Sequence, residues 1–367
     1  MKTRDLALQG ALAVVALVAA YLVWQRAPAG APGDAVVELP ARALDKVRYE
    51  DEARYVELYR DAQSRDTLWV RLGYKPSKPL PPAEPMAGTD AGSGPGADGA
   101  APGAVAQAQG TPDAGVSLLA APPAPPPPRE LRANEVAEKL FPRFAPLRAT
   151  RALGVLETKK LEEVGLTTSQ RKLTLTLGGK VETFALASTT GGWGTPYLRR
   201  ESDGQVFLLG PALLPDLENA SSRLVDRRLH TFDLGEFDAV VISSGGASRA
   251  FRATGKAPNP VALSPEEAPD KPDEFTRNWH DRVWRLMPVD LLGRDETPAG
   301  GEPKEAFRVE YRRGGKSVGE LTVARGTDGF FARTEHTPGW VRLHAGVDPL
   351  AAEAARVTTP VSSAGGP

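Results

Sequence analysis

Apolar and polar positions alternate at period two in many short runs of this chain. Val47-Arg48-Tyr49-Glu50 alternates, as do Tyr55-Val56-Glu57-Leu58-Tyr59-Arg60 and Leu68-Trp69-Val70-Arg71-Leu72, the pattern of strands buried on one face. Leu173, Leu175 and Leu177 point one way and Thr174 and Thr176 the other, with Gly178-Gly179 placed for a hairpin turn. Further strands are predicted over 307–311, 317–323, 330–333 and 340–344. Helical spacing is rarer. Asn134 can cap a helix carrying Val136, Leu140 and Phe144 on one face, with Pro142 breaking or kinking it. A helix is expected over 213–224 after Pro211. Phe275, Trp279 and Val283 form the buried stripe of another over 273–284, and Asp348 can cap a short one over 349–355.

The runs form two series. Leu173-Thr174-Leu175-Thr176-Leu177, Gly178-Gly179, Tyr197-Leu198-Arg199 and Val206-Phe207-Leu208 correspond to Phe307-Arg308-Val309-Glu310-Tyr311, Gly314-Gly315, Phe331-Ala332-Arg333 and Val341-Arg342-Leu343. The offset is about 134 residues, as expected of two copies of one unit. Leu44-Asp45-Lys46-Val47 and Phe237-Asp238-Ala239-Val240 open the copies at a larger offset of about 193. The excess nearly equals the length of residues 75–128, of which roughly two-thirds are Pro, Gly or Ala. That stretch cannot bury enough apolar surface to offset its ordering entropy, so a disordered insert interrupting the first copy is expected. It reads either as a tolerated loop insertion or as a proline-rich ligand.

Residues 6–24 are almost wholly apolar and about long enough to cross a bilayer as a helix. Lys2 and Arg4 precede the run, which places the N-terminus inside. A cleaved signal peptide is the alternative. The expected fold class is therefore α+β: an N-terminal transmembrane helix plus two tandem copies of a mostly antiparallel sheet-and-helix unit. The expected divisions are a cytoplasmic tail (1–5), the span (6–24), a discontinuous first repeat (36–74 and 129–234), the insert (75–128), a second repeat (235–356) and a flexible tail (357–367). The expected location is a bacterial cytoplasmic membrane, with the bulk of the chain outside it.

Composition narrows the chemistry. The 367 residues include no cysteine, which removes disulfides and thiolate metal sites, and the net charge of −1 comes from interspersed charges without a basic stripe for nucleic acid. His230, His280, His336 and His344 show no metal-ligand spacing and read as surface residues. No catalytic set, cofactor motif or metal site is expected. The candidate interaction residues are Asp226, Arg227 and Arg228, where guanidinium forks suit a carboxylate or phosphate, together with Arg199 and Arg333 at equivalent positions of the two copies. A helix end with Asp226 paired locally, and arginines covering apolar surface, are the plainer alternatives.

The stretch Leu224-Val225-Asp226-Arg227-Arg228-Leu229, followed by Phe237-Asp238-Ala239-Val240-Val241-Ile242, resembles the bacterial domain-of-unknown-function family catalogued as 4340. Tyr197-Leu198-Arg199, Val206-Phe207-Leu208-Leu209 and the early strands at Val47-Arg48-Tyr49 and Leu68-Trp69-Val70 add to the likeness. The long insert and the polar His230-Thr231 depart from it. The resemblance implies a partner of ABC-type transport systems of the gliding-motility kind, working beside a permease and an ATPase, with no catalytic residue to carry over. The expected function is a non-enzymatic accessory or binding subunit of such a complex. The alternatives are a structural envelope protein contacting cell-wall components and an envelope hydrolase.

Overall fold

A computed structural model describes residues 33–61, 66–76, 125–188, 195–210, 213–255 and 261–359. In chain order these form β1 (Asp34–Val37), β2 (Leu44–Glu50), β3 (Arg54–Arg60), β4 (Leu68–Tyr74), β5 (Arg129–Arg132), α1 (Glu135–Leu140), β6 (Leu147–Ala149), β7 (Arg151–Val155), α2 (Thr158–Glu163), β8 (Arg171–Leu177), β9 (Lys180–Ala187), β10 (Tyr197–Arg200) and β11 (Gln205–Leu208). There follow α3 (Leu214–Glu218), α4 (Ala220–Arg223), β12 (Ala239–Ser244), β13 (Ala247–Thr254), β14 (Ala262–Pro265), α5 (Glu274–Trp284), β15 (Pro288–Leu291), β16 (Lys304–Arg313), β17 (Lys316–Gly326), β18 (Gly329–Thr334), β19 (Val341–Leu343) and α6 (Asp348–Thr358).

Strand accounts for 44% of the described residues and helix for 19%, so the fold is mostly antiparallel β rather than the α+β class expected, and its strands form three sheets. The nine-stranded sheet runs β5-β4-β3-β2-β8-β9-β10-β11-β7, the eight-stranded sheet runs β14-β13-β12-β16-β17-β18-β19-β15, and β1 pairs with β6. Without β5, the first order is the second with each strand replaced by its counterpart. Helix content is low because the helices are short. α1 stops at Leu140, and Pro142 turns the chain into a 3-10 segment, leaving Val136 exposed while Ala137, Leu140, Phe141 and Phe144 are buried. The helix expected over 213–224 is two short pieces divided at Asn219.

The transmembrane, single-pass and inner-membrane expectations are also corrected. No helix among the described residues is long and apolar enough to cross a membrane. α5 and α6 have 11 residues each, against the about 20 that a bilayer requires. The apolar run 6–24 lies outside the described residues, as do most of the insert (77–124) and the end of the tail (360–367).

Alternation along the strands builds the core. Val47, Tyr49, Leu173 and Leu175 from the first half, and Val240, Ile242, Phe307, Val309, Leu321 and Val323 from the second, belong to one continuous buried cluster. The outer faces have small clusters of their own. α2 brings Leu161 over Ala187 and Val206, and the segment after β15 brings Leu292 beside Ala324, Phe331 and Trp340.

Three tight hairpins, at Gly178-Gly179, Gly245-Gly246 and Gly314-Gly315, place both turn residues at positive φ, which glycine alone adopts without strain. Asp45 accepts a hydrogen bond from Gly179 N–H at 3.3 Å, and Asp238 accepts one from Gly314 N–H at 2.8 Å. The repeated aspartate thus ties the start of β2 to the turn between β8 and β9, and the approach to β12 to the turn between β16 and β17.

β4 and β5 are antiparallel neighbours with Leu72 opposite Arg129, so the insert is the loop of a hairpin. Replacing residues 75–128 with a four-residue turn should leave the fold intact. It should raise stability by about 2 kcal/mol, because closing a loop of some fifty residues costs more entropy than closing four. Chemical denaturation of both chains checks this, and loss of cooperative unfolding in the shortened chain would show that the insert is structural. A second expectation concerns Tyr311, whose hydroxyl is buried and has no partner among the described residues. Tyr311→Phe should hold or raise the unfolding midpoint, by up to about 1 kcal/mol, since it removes an unsatisfied buried group. A clear loss would mean that the hydroxyl is hydrogen-bonded.

Candidate functional site

β5 fixes the place where the two halves meet. Its inner edge pairs with β4, which would leave the carbonyls of Glu130 and Arg132 facing outward. Arg294 N–H donates to Glu130 O at 3.1 Å, and Asp226 N–H donates to Arg132 O at 2.9 Å. Gly293 permits the first approach, because a Cβ there would lie 3.1 Å from Glu130 N. Side chains reinforce the seam. Arg129 lies 3.0 Å from Asp290 and 2.8 Å from Glu296, and the Arg294 guanidinium stacks 3.8 Å above the Trp69 ring and pairs with Asp61 at 3.3 Å.

Asp226 sits in this seam with its side chain only 5% exposed. His336 Nε2 lies 3.0 Å from its Oδ2, Arg228 donates from Nη2 at 2.7 Å, and the Arg228 N–H donates at 3.0 Å. Burial alone would push this carboxyl up. The hydrogen bonds from His336 and Arg228 outweigh burial and hold it well below the usual carboxylate range. On the other side of the ring, Arg132 Nη1 lies 3.1 Å from His336 Nδ1. A guanidinium only donates, so Nδ1 accepts, and the ring hydrogen is on Nε2, directed at Asp226. Both ring nitrogens are therefore engaged, and the imidazole offers no free lone pair to a substrate.

Two clefts adjoin the cluster and share Arg228 as a wall. One, of about 300 Å³, is lined by residues that include Thr67, Arg132, Asn134, Asp226, Arg228 and His336. The other, of about 510 Å³, is lined by residues that include Asn134, Val136, Val225, Asp226, Arg227 and Arg228. Asn134 holds the shared floor. Its Oδ1 caps α1 through Ala137 N–H at 3.0 Å, and its Nδ2 donates to the Arg223 carbonyl at 2.9 Å.

Asp226, Arg227 and Arg228 thus lie together as their sequence implies. Arg199 and Arg333 do not join them. Arg199 is half-buried on β10 with its Nε enclosed and without a partner among the described residues, and Arg333 is exposed on β18 opposite Thr322. Arg132 and His336, which complete the cluster, carry no motif that singles them out. The reading of the histidines as surface residues is corrected for three of them. His336 is 5% exposed, His280 is 1% exposed, and the His230 ring stacks on Trp284 at 5.1 Å beside Glu335. Burial pushes His280 down to about 4, with the neighbouring His230 adding to the shift and Asp281 opposing it. Only His344 is exposed. Among the described residues no group of His, Asp and Glu could hold a metal ion.

No protein-family model matches the chain, and no curated protein or solved structure is significantly similar to it.

Asp226→Ala should destabilise the fold by about 3 kcal/mol, because it strips a buried cluster of its only acceptor for three donors. Arg228→Gln should cost under about 1 kcal/mol, since the Arg228 side chain is 65% exposed and its pair is screened by water. A carboxyl held below its ordinary value of 3.8 contributes stability above that pH and gives it up as pH falls toward its folded value. Wild type should therefore lose stability below about pH 4 more steeply than Asp226→Asn. Denaturation at a series of pH values measures the difference, and parallel curves would remove Asp226 from the acid response.

Proposed function

We propose that this protein is a non-enzymatic accessory or binding subunit of an ABC-type transport or gliding-motility-type complex. The observation that carries the binding reading is the state of the Asp226–His336 pair. It is the most concentrated polar chemistry in the seam, yet Arg132 occupies the nitrogen that a general base would need. What the cluster presents outward is Arg227 and the Arg228 side chain, on the walls of two open clefts. Such donors recognise anionic groups.

The partner class rests on the resemblance of residues 224–229 and 237–242 alone. Its test is co-purification of the full chain from its native cells in mild detergent, with mass spectrometry of what accompanies it. A permease and an ATPase in stoichiometric amounts are expected. A chain that purifies alone, or with wall material, would overturn the transport assignment.

A further inference from the structure

Of the guanidinium groups at the seam, Arg129 pairs with Asp290 and Glu296, Arg294 with Asp61 and Arg228 with Asp226, while the exposed Arg227 reaches the Ser221 carbonyl. Arg132 has no carboxylate among the described residues. Its one side-chain partner is the His336 ring, and its Nε is enclosed without an acceptor. Arginine carries five N–H donors and a permanent charge, and a half-buried guanidinium without a counter-charge is costly.

The neighbours leave that deficit in place. Asp226 is already saturated by His336 and Arg228. Glu138 and Glu135, on the cleft walls, are taken by Arg60 and Lys139. Asp66, at the rim, is exposed and makes no ion pair with Arg132.

We propose that the cleft is a carboxylate-binding site for an acidic segment of a partner protein, with a carboxylate seated between Arg132 and Arg228. The ligand supplies the counter-charge that Arg132 lacks among the described residues, through the guanidinium end and not through the enclosed Nε. Apart from that Nε, the donors not already engaged among the described residues are Arg132 Nη2 and Arg228 Nη1, since Arg132 Nη1 meets His336 and Arg228 holds Asp226 through Nε and Nη2. One carboxylate can accept from both, and Asp66, Glu135 and Glu138 on the cleft walls oppose a phosphate dianion more strongly than a monoanion. The adjoining cleft continues the surface past Val136, which is 40% exposed, to Arg227, giving an apolar step and a second cation for residues that flank the seated carboxylate. This site rests on the binding-subunit reading and specifies the chemistry that its partner must bring.

The test uses the full chain and a labelled short peptide of alternating glutamate and leucine, with a lysine–leucine peptide as control, read by fluorescence anisotropy at physiological salt. The acidic peptide should bind and the basic one should not. Arg132→Gln should weaken binding roughly tenfold or more. Acetate should displace the peptide at lower concentration than inorganic phosphate does. Equal binding by Arg132→Gln and wild type, binding of the lysine peptide, or stronger displacement by phosphate would each overturn the proposal. Because Arg132 also holds His336, wild type provides a readout independent of the variant's folding. The Arg132 Nε–Hε NMR signal should shift on adding the acidic peptide, and an unmoved signal overturns the site. An Arg132→Gln chain that still carries a permease and an ATPase as wild type does would remove this site and leave the accessory-subunit reading standing.

Discussion

The constraint on which the rest of the molecule depends is the edge of β5. A strand at the margin of a sheet leaves every second N–H and C=O without a partner, a liability that folds cover, pair or charge. Here the Glu130 and Arg132 carbonyls are met by main-chain N–H groups from the segment after β15 and from the segment after α4. The Arg294 contact converts the sheet edge into a joint between the halves, and Asp226, itself in the first half, reaches the second through His336. The joint positions Asp226 directly over Arg132, and the rest of the seam's charge is arranged around that contact.

The same logic of neighbour against neighbour runs across the outer face of the first sheet. Arg48, Glu57, Arg71 and Glu130 lie opposite one another in register on β2, β3, β4 and β5, so charge alternates across four strands. Glu57 is 3% exposed in the middle of this row and is reached by Arg48 at 2.9 Å and Arg71 at 2.8 Å. Burial pushes its carboxyl up, and the hydrogen bond from Arg48 with the charges of Lys46 and Arg71 brings it down further. Tyr55 fills the space over Gly73, where a Cβ would meet its ring at 2.3 Å, and the Arg48 guanidinium caps that ring at 4.1 Å. Arg48, Glu57, Arg71 and Glu130 are each held by a neighbour in the row, which delivers β5 to the seam in a fixed register.

Legibility in the sequence followed the range of the interactions. Strands β2, β3, β8 and β16 announce themselves because one buried face imposes period two on adjacent residues. Asp45 and Asp238 are visible as a pair because similar short runs, Leu44-Asp45-Lys46-Val47 and Phe237-Asp238-Ala239-Val240, open the two copies, but the turns that they cap lie 134 and 76 positions away. β7 left no such signal, since four of its five residues are exposed and no alternation is selected. Pro142 marks the end of α1 in the sequence, but its buried face is less legible, because Val136 shares the helical spacing with Leu140 yet faces solvent while Ala137 is buried. Of the candidate site, Asp226, Arg227 and Arg228 were legible as a contiguous run. Arg132 and His336 were not, because they are 204 positions apart and only the joint brings them together. Periodicity reports which face a residue shows, and not what it meets there.

The insert also imposes an order on assembly. β2 must find β8 across about 120 residues, because both the insert and the segments after it lie between them, whereas β12 finds β16 across about 60. Strands β16 to β19 follow one another as neighbours in both sequence and space. Loop-closure entropy therefore favours the C-terminal half as the nucleus, even though ribosomal synthesis delivers the N-terminal half first. The earlier half would wait, with the edge of β5 uncovered, until the later one is complete. The interval between the two is when this chain is most exposed to mispairing with its neighbours.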